Sequence, residues 1–127
     1  MKDTKLIDVH ALQEEARNSE HKESYRILER NPKYRIGIGA RQVSSSQPIF
    51  FIEVLVNMCP NHSQVDLFLL EKELLFLKEV QSRGYSLSCQ GDSYVACEIS
   101  ITPQNLATEY DAMKQIVKRT FQLINFN

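Results

Sequence analysis

Four stretches of the chain alternate apolar and polar side chains with the two-residue period of a half-buried β-strand. They lie at residues 34–41, 49–58, 85–90 and 94–101. A polar connection joins the first two stretches, and Gly91 suits a tight turn between the last two. We therefore predict two antiparallel hairpins, each followed by a helix whose start is marked by a proline.

The two hairpin-plus-helix segments match each other when the sequence is shifted by 43 residues, which places Pro60 on Pro103. The shift keeps the strand alternation and the apolar stripe of the helices in register together. We interpret the match as a ββα unit used twice, at residues 33–83 and 84–126. The alternative is a chance agreement between two amphipathic patterns.

An N-terminal segment, residues 4–31, is predicted to be helical and to precede both units. The chain of 127 residues has the size of one domain, 1–127, and can bury a substantial core. The expected order of elements is αββαββα. We predict an α+β two-layer sandwich with a four-stranded antiparallel sheet and the helices mainly on one face.

Charge and hydropathy narrow the classes of function. Fifteen Lys and Arg residues against sixteen Asp and Glu residues give a net charge of -1. This balance disfavours binding to duplex DNA or to an anionic membrane surface. The sequence shows neither a run of about 20 apolar residues nor a signal peptide. We expect an intracellular, cytoplasmic protein without a membrane partner, whose three cysteines are reduced thiols.

The strongest candidates for catalysis are Cys59 and His62, which stand between a predicted strand and a predicted helix. A thiol near a helix N-terminus is stabilised as thiolate, so one hypothesis is a thiol-dependent enzyme or redox sensor. The alternative is a small apolar residue beside a surface histidine. Cys89 and Cys97 would complete four zinc ligands, but their strand positions indicate core residues. We expect neither a metal nor a cofactor.

The stretch RIGIGAR, residues 35–41, carries two glycines and two arginines on the strand face opposite its isoleucines. If the isoleucines face the helices, the other face of the sheet is open. Missing side chains would let a backbone, a helix or a ligand approach the strand, although a bulge or a twisted edge explains the glycines equally well. The predicted binding surface on this face is Arg35, Gly37, Gly39, Arg41, Phe51, Leu55 and Tyr94.

Arginines and aromatic side chains on an open sheet also suit single-stranded nucleic acid. The residues that would serve this purpose are Arg35, Arg41, Phe51 and Tyr94. The closely spaced aromatic residues of the common RNA-binding sheet module are absent from the sequence. We therefore keep nucleic-acid binding as an alternative and do not expect it.

The helix that follows the first hairpin is apolar on more than one side. Leucines occupy one side, and Leu69, Phe76 and Val80 lie nearly opposite, while its Glu and Lys residues have the spacing of a solvated face. Either another helix of the chain covers the second side, or these three residues form a subunit interface. We expect a non-enzymatic binding or assembly domain that forms a homo-oligomer or binds another protein.

Overall fold

A computed structural model describes residues 8–42, 48–58, 67–91 and 93–121, with the backbone alone at 67–69. The elements follow the order αβββαββα. They are helix α1 (Val9–Asn18), strands β1 (Glu23–Arg30), β2 (Tyr34–Arg41) and β3 (Ile49–Asn57), helix α2 (Leu67–Ser82), strands β4 (Ser86–Gln90) and β5 (Tyr94–Ile101), and helix α3 (Leu106–Phe121).

The strands form one antiparallel sheet in the order β1-β2-β3-β5-β4. The α+β class and the four strands predicted from alternation are confirmed, the strands with bounds that differ by at most one residue. The prediction of four strands in all is wrong, because β1 adds a fifth. In this order β3 lies beside β5, and these are the second strands of the two predicted units. The duplication of the unit stays a prediction.

Of the helical segment predicted at 4–31, the structure shows a helix at Val9–Asn18 and a strand at Glu23–Arg30, while residues 4–7 lie outside the described residues. Helix α1 ends where the Ser19 N–H bonds the Glu15 carbonyl oxygen, and Lys22 then adopts a positive φ of 57° that turns the chain into β1. Strand β1 pairs with β2 from Glu23 to Arg30, with a bulge between Ile27 and Glu29. Its charged sequence resembles a solvated helix, but hydrogen bonding to a neighbouring strand determines its conformation.

The helices pack on one face of the sheet. Buried side chains from alternate strand positions share a core with residues of all three helices. The strand members include Ile36, Ile38, Ile52, Val54, Val56 and Cys97. Helix α3 begins at Leu106, three residues later than Pro103, which lies in a turn where Thr102 and Asn105 exchange hydrogen bonds.

Helix α2 turns Phe76 and Val80 toward the core, and Leu77 packs partly against the same core. Phe76 and Val80, expected at a subunit interface, are fully buried inside the chain's own core, with Phe76 5.2 Å from the ring of Phe121. The side chain of Leu69 lies outside the described residues. Leu74 and Leu75 instead face solvent, with 58% and 48% of their surface exposed. In this fold Phe76 and Val80 are therefore covered by the chain itself and are not exposed to a second subunit.

A buried ion pair joins the sheet to α2. Lys33 Nζ donates hydrogen bonds to a Glu73 carboxylate oxygen and to the carbonyl oxygen of Asn57, and both charged side chains are almost completely buried. The ammonium group also lies 5.5 Å from the centre of the Phe121 ring. The pair connects the start of β2, the end of β3 and the first half of α2, so it fixes where the helix lies on the sheet.

We predict that Glu73→Leu lowers the free energy of unfolding by about 3–5 kcal/mol, because it leaves the buried Lys33 ammonium without its carboxylate. The double variant Lys33→Met with Glu73→Leu removes both charges and should recover most of that loss. Urea unfolding monitored by circular dichroism measures both, with the exposed Glu71→Leu as the control on the same helix. A Glu73→Leu protein as stable as the control would contradict the prediction.

Candidate functional site

The two glycines of β2 lie beneath aromatic rings of the neighbouring strands. The space that a Cβ atom would occupy at Gly37 is filled by the Tyr25 side chain, and at Gly39 by the ring of Phe51. The two rings are stacked, with centres 6.5 Å apart and planes inclined by 28°. The close approach that the glycines allow is therefore made by the chain's own side chains. The bulge of this region lies in β1, opposite β2.

The arginines that flank the glycines cover these rings. The Arg41 guanidinium lies 4.3 Å from the centre of the Phe51 ring and makes two hydrogen bonds to the Glu98 carboxylate, at 2.8 and 3.0 Å. A further hydrogen bond of 3.3 Å reaches Glu23. Glu98 chiefly, and Glu23 in addition, raise the pKa of Arg41 above its ordinary value. Arg41 and Phe51 thus belong to an internally satisfied layer.

Arg35 is held more loosely than Arg41. Its guanidinium lies 5.4 Å from the centre of the Tyr25 ring and 3.7 Å from Glu53, which is longer than a hydrogen bond. Its Nε–H is buried and has no acceptor in the part of the chain that the structure describes. Burial first, and Glu53 second, raise the pKa of Tyr25 to about 12, so this phenol is neutral.

A surface cavity of about 360 Å³ opens at the end of this face, beside the turn from β1 to β2. The structure brings three of the predicted binding residues together there, Arg35, Leu55 and Tyr94. The β-ladder explains this, since Arg35 is the register partner of both Arg30 and Leu55. The other described lining residues are Tyr34, at the start of a predicted strand, and residues 30–33. The sequence does not indicate them as a site, because the segment that forms β1 is predicted as a helix and its pairing with β2 is not foreseen.

Asn31 fixes the shape of the turn. Its side-chain oxygen accepts hydrogen bonds from the N–H groups of Lys33 and Tyr34, at 2.8 and 2.9 Å, and its own N–H donates to the Tyr34 carbonyl oxygen. The Tyr34 hydroxyl donates to Glu29 at 3.0 Å. Burial and this carboxylate raise the pKa of Tyr34 to about 12. The cavity wall is therefore held by defined hydrogen bonds and not by a loose loop.

The catalytic candidates Cys59 and His62 lie outside the described residues. Cys97 is buried as expected, and burial, with Glu53 as a lesser cause, raises its pKa to about 12. Cys89, also expected in the core, is exposed, because it lies on the edge strand β4. Within residues 8–42, 48–58, 67–91 and 93–121, no group of three His, Cys, Asp or Glu side chains is arranged to hold a metal ion.

The fold and this surface define an α+β domain with three helices on one face of a five-stranded sheet and a basic, partly aromatic cavity on the other. Among the described helices, none combines the length and apolar character required to cross a bilayer. Comparison of the chain with protein-family models, with curated proteins and with solved structures gave no match.

We predict that Gly39→Ala destabilises the protein more than Gly37→Ala does. A methyl group on Gly39 would lie 2.6 Å from the Ser24 carbonyl oxygen, and backbone cannot move without opening the β1–β2 pair. The nearest atoms to a methyl on Gly37 all belong to the Tyr25 side chain, which can rotate. Urea unfolding should give a loss of about 1–3 kcal/mol for Gly39→Ala.

The matched control for this comparison is Gly37→Ala in a Tyr25→Ala background, where the ring that meets the methyl group is gone. The cost of adding the methyl group should then fall. Equal losses for the two glycine substitutions in the wild-type background would contradict the packing described above.

We predict that iodoacetamide at pH 8 labels Cys89 in the folded protein far faster than Cys97. A raised pKa keeps a thiol protonated, so Cys97 has less reactive thiolate at that pH than an ordinary cysteine. Peptide mass mapping follows each cysteine in the same molecule and includes Cys59. Labelling of Cys59 well above the exposed Cys89 would support the thiol-enzyme hypothesis, and labelling at the rate of Cys89 would remove its basis.

Proposed function

We propose that this chain is a non-enzymatic assembly domain that self-associates through the edge strand β4. The observation that carries the proposal is the exposure of this strand: all five residues of SLSCQ are exposed, and none is charged or proline. An edge strand of this kind offers unpaired main-chain N–H and C=O groups to another strand. Self-association by strand pairing uses these groups directly.

Side-chain burial at β4 supports the same surface. Leu87 and Cys89 pair in register with Cys97 and Val95, so they lie on the face of the sheet that carries the helices. Leu87 nevertheless keeps 36% of its surface exposed, and Cys89 is exposed as well. The helices therefore do not cover the side chains that β4 places on the core face of the sheet. In a second copy that adds its own β4, side chains of that strand would lie beside both residues and shield part of their surface.

The other edge of the sheet differs in the features that discourage pairing. Strand β1 carries four charged residues, Glu23, Arg26, Glu29 and Arg30, and contains a bulge. Charged side chains and bulges are the usual means by which proteins protect an edge strand. The contrast favours β4 as the contact, in a two-fold arrangement in which the same strand serves both partners.

The setting we propose for this assembly is the cytoplasm. Cys89 and Cys97 are free thiols, although they lie on neighbouring strands. Free thiols with one of the two exposed suit a reducing compartment. This part of the proposal is tested by fluorescence microscopy of the tagged full chain.

We predict that the wild-type chain is a dimer by light scattering and that Leu87→Glu shifts it to monomer, weakening association by about tenfold or more. Two glutamates brought together in an apolar contact repel each other and lose water. The matched control is Leu74→Glu, which places the same charge on an exposed leucine of α2.

Circular dichroism confirms that each variant is folded before its mass is measured. A wild-type chain that is monomeric over a wide concentration range would overturn self-association. Dissociation by Leu74→Glu and not by Leu87→Glu would instead place the contact on α2 and overturn the role of β4.

A further inference from the structure

The cavity at the β1–β2 turn carries positive charge that the described part of the chain does not neutralise. Arg30 is exposed and makes no ion pair or side-chain hydrogen bond with the described residues. Among the described residues, Arg35 has one carboxylate within ion-pair range, that of Glu53 at 3.7 Å. The third cation of the lining, Lys33, is paired with Glu73. Two arginines therefore have donor capacity left for an anion, and Arg guanidinium groups bind carboxylate and phosphate strongly.

The acidic groups near the cavity do not remove this surplus. None of the lining residues that the structure describes is Asp or Glu. Glu29 accepts the hydroxyl hydrogen bond of Tyr34, and Glu53 is shared with Arg35 at the distance given above. No carboxylate in the described part of the chain is within ion-pair distance of Arg30.

The opposite wall of the cavity is apolar and aromatic. Leu55 is half-buried, and Tyr94 exposes 43% of its surface. Across the described residues, no aromatic ring stacks on Tyr94. A free ring surface of this kind accepts a flat apolar group. The volume of about 360 Å³ lies in the range of small-molecule sites and is far too small for a folded partner.

We infer that this cavity binds a small organic anion whose phosphate or carboxylate lies between Arg30 and Arg35 and whose flat apolar part rests on Leu55 and Tyr94. The inference goes beyond the proposed self-association and does not depend on it, because β4 supplies none of the lining residues. Phosphate and carboxylate share the chemistry that the arginines recognise, so the probes below separate them.

The test is a titration of the full-length chain, followed by calorimetry and by amide chemical shifts, with four probes: phenyl phosphate, benzoate, inorganic phosphate and benzyl alcohol. Phenyl phosphate or benzoate should bind saturably and about tenfold or more tightly than inorganic phosphate, because the ring buries apolar surface. The better of the two identifies the anionic group. Benzyl alcohol, which has the ring and no charge, should bind least.

Variants at Arg30 and Tyr94 assign the binding to the cavity. Arg30→Gln should weaken the aryl anion about tenfold or more, since it removes a charge-assisted hydrogen bond. Tyr94→Ala should weaken the aryl anion and leave inorganic phosphate unchanged, whereas Tyr94→Phe keeps the ring and the affinity. Arg119→Gln, an exposed arginine of α3 on the other side of the sheet, is the control and should change nothing.

Three results would overturn the inference. The first is the absence of saturable binding for both aryl anions. The second is equal binding of benzyl alcohol, which would mean that the arginines make no contribution. The third is an Arg30→Gln variant that binds as well as the Arg119→Gln control. Because the oligomeric state is measured separately, none of these results bears on the role of β4.

Discussion

The packing of two aromatic rings onto two glycines determines how the open side of this sheet is built. Since Gly37 and Gly39 have no side chains, Tyr25 and Phe51 lie flat over β2 and close the gap between neighbouring strands. The rings provide the surface on which Arg35 and Arg41 rest. Arg41 donates hydrogen bonds to the carboxylates of Glu23 on β1 and Glu98 on β5. The pairing of β1 with β2 and the layer of charged groups on this face are built around that packing.

The alternation of apolar and polar residues predicts four strands correctly because it depends only on the sequence of each segment. Strand β1 was missed because its conformation depends on a non-local pair: its apolar Tyr25 needs the space over Gly37, and its charged residues hide the alternation. The sequence leaves open which side of helix α2 is buried for a related reason. Its apolar residues surround the helix axis, and the contacts of the buried side, such as the pair between Glu73 and Lys33, join segments that are distant in sequence.

The candidate site was predictable in part. The alternation of side chains along each strand places Arg35, Leu55 and Tyr94 on one face of the sheet. The structure brings all three to one cavity. This alternation cannot reveal which side chains already have hydrogen-bond partners within the chain, as Arg41 has in Glu98. It also cannot reveal which side chains the helices cover. Leu87 lies on the face of the sheet that carries the helices, but it is exposed because β4 is an edge strand. Both properties depend on contacts between segments distant in sequence.

The difference between the two edges of the sheet has a further consequence for assembly. Growth into a fibre requires two complementary surfaces on each molecule, so that every addition creates a new place to bind. Here one edge carries the charged residues and the bulge of β1, and in the proposed dimer the uncharged edge of each molecule would be paired with its partner. The proposed assembly would therefore be self-limiting: it would end at a continuous ten-stranded sheet whose two outer edges are both β1.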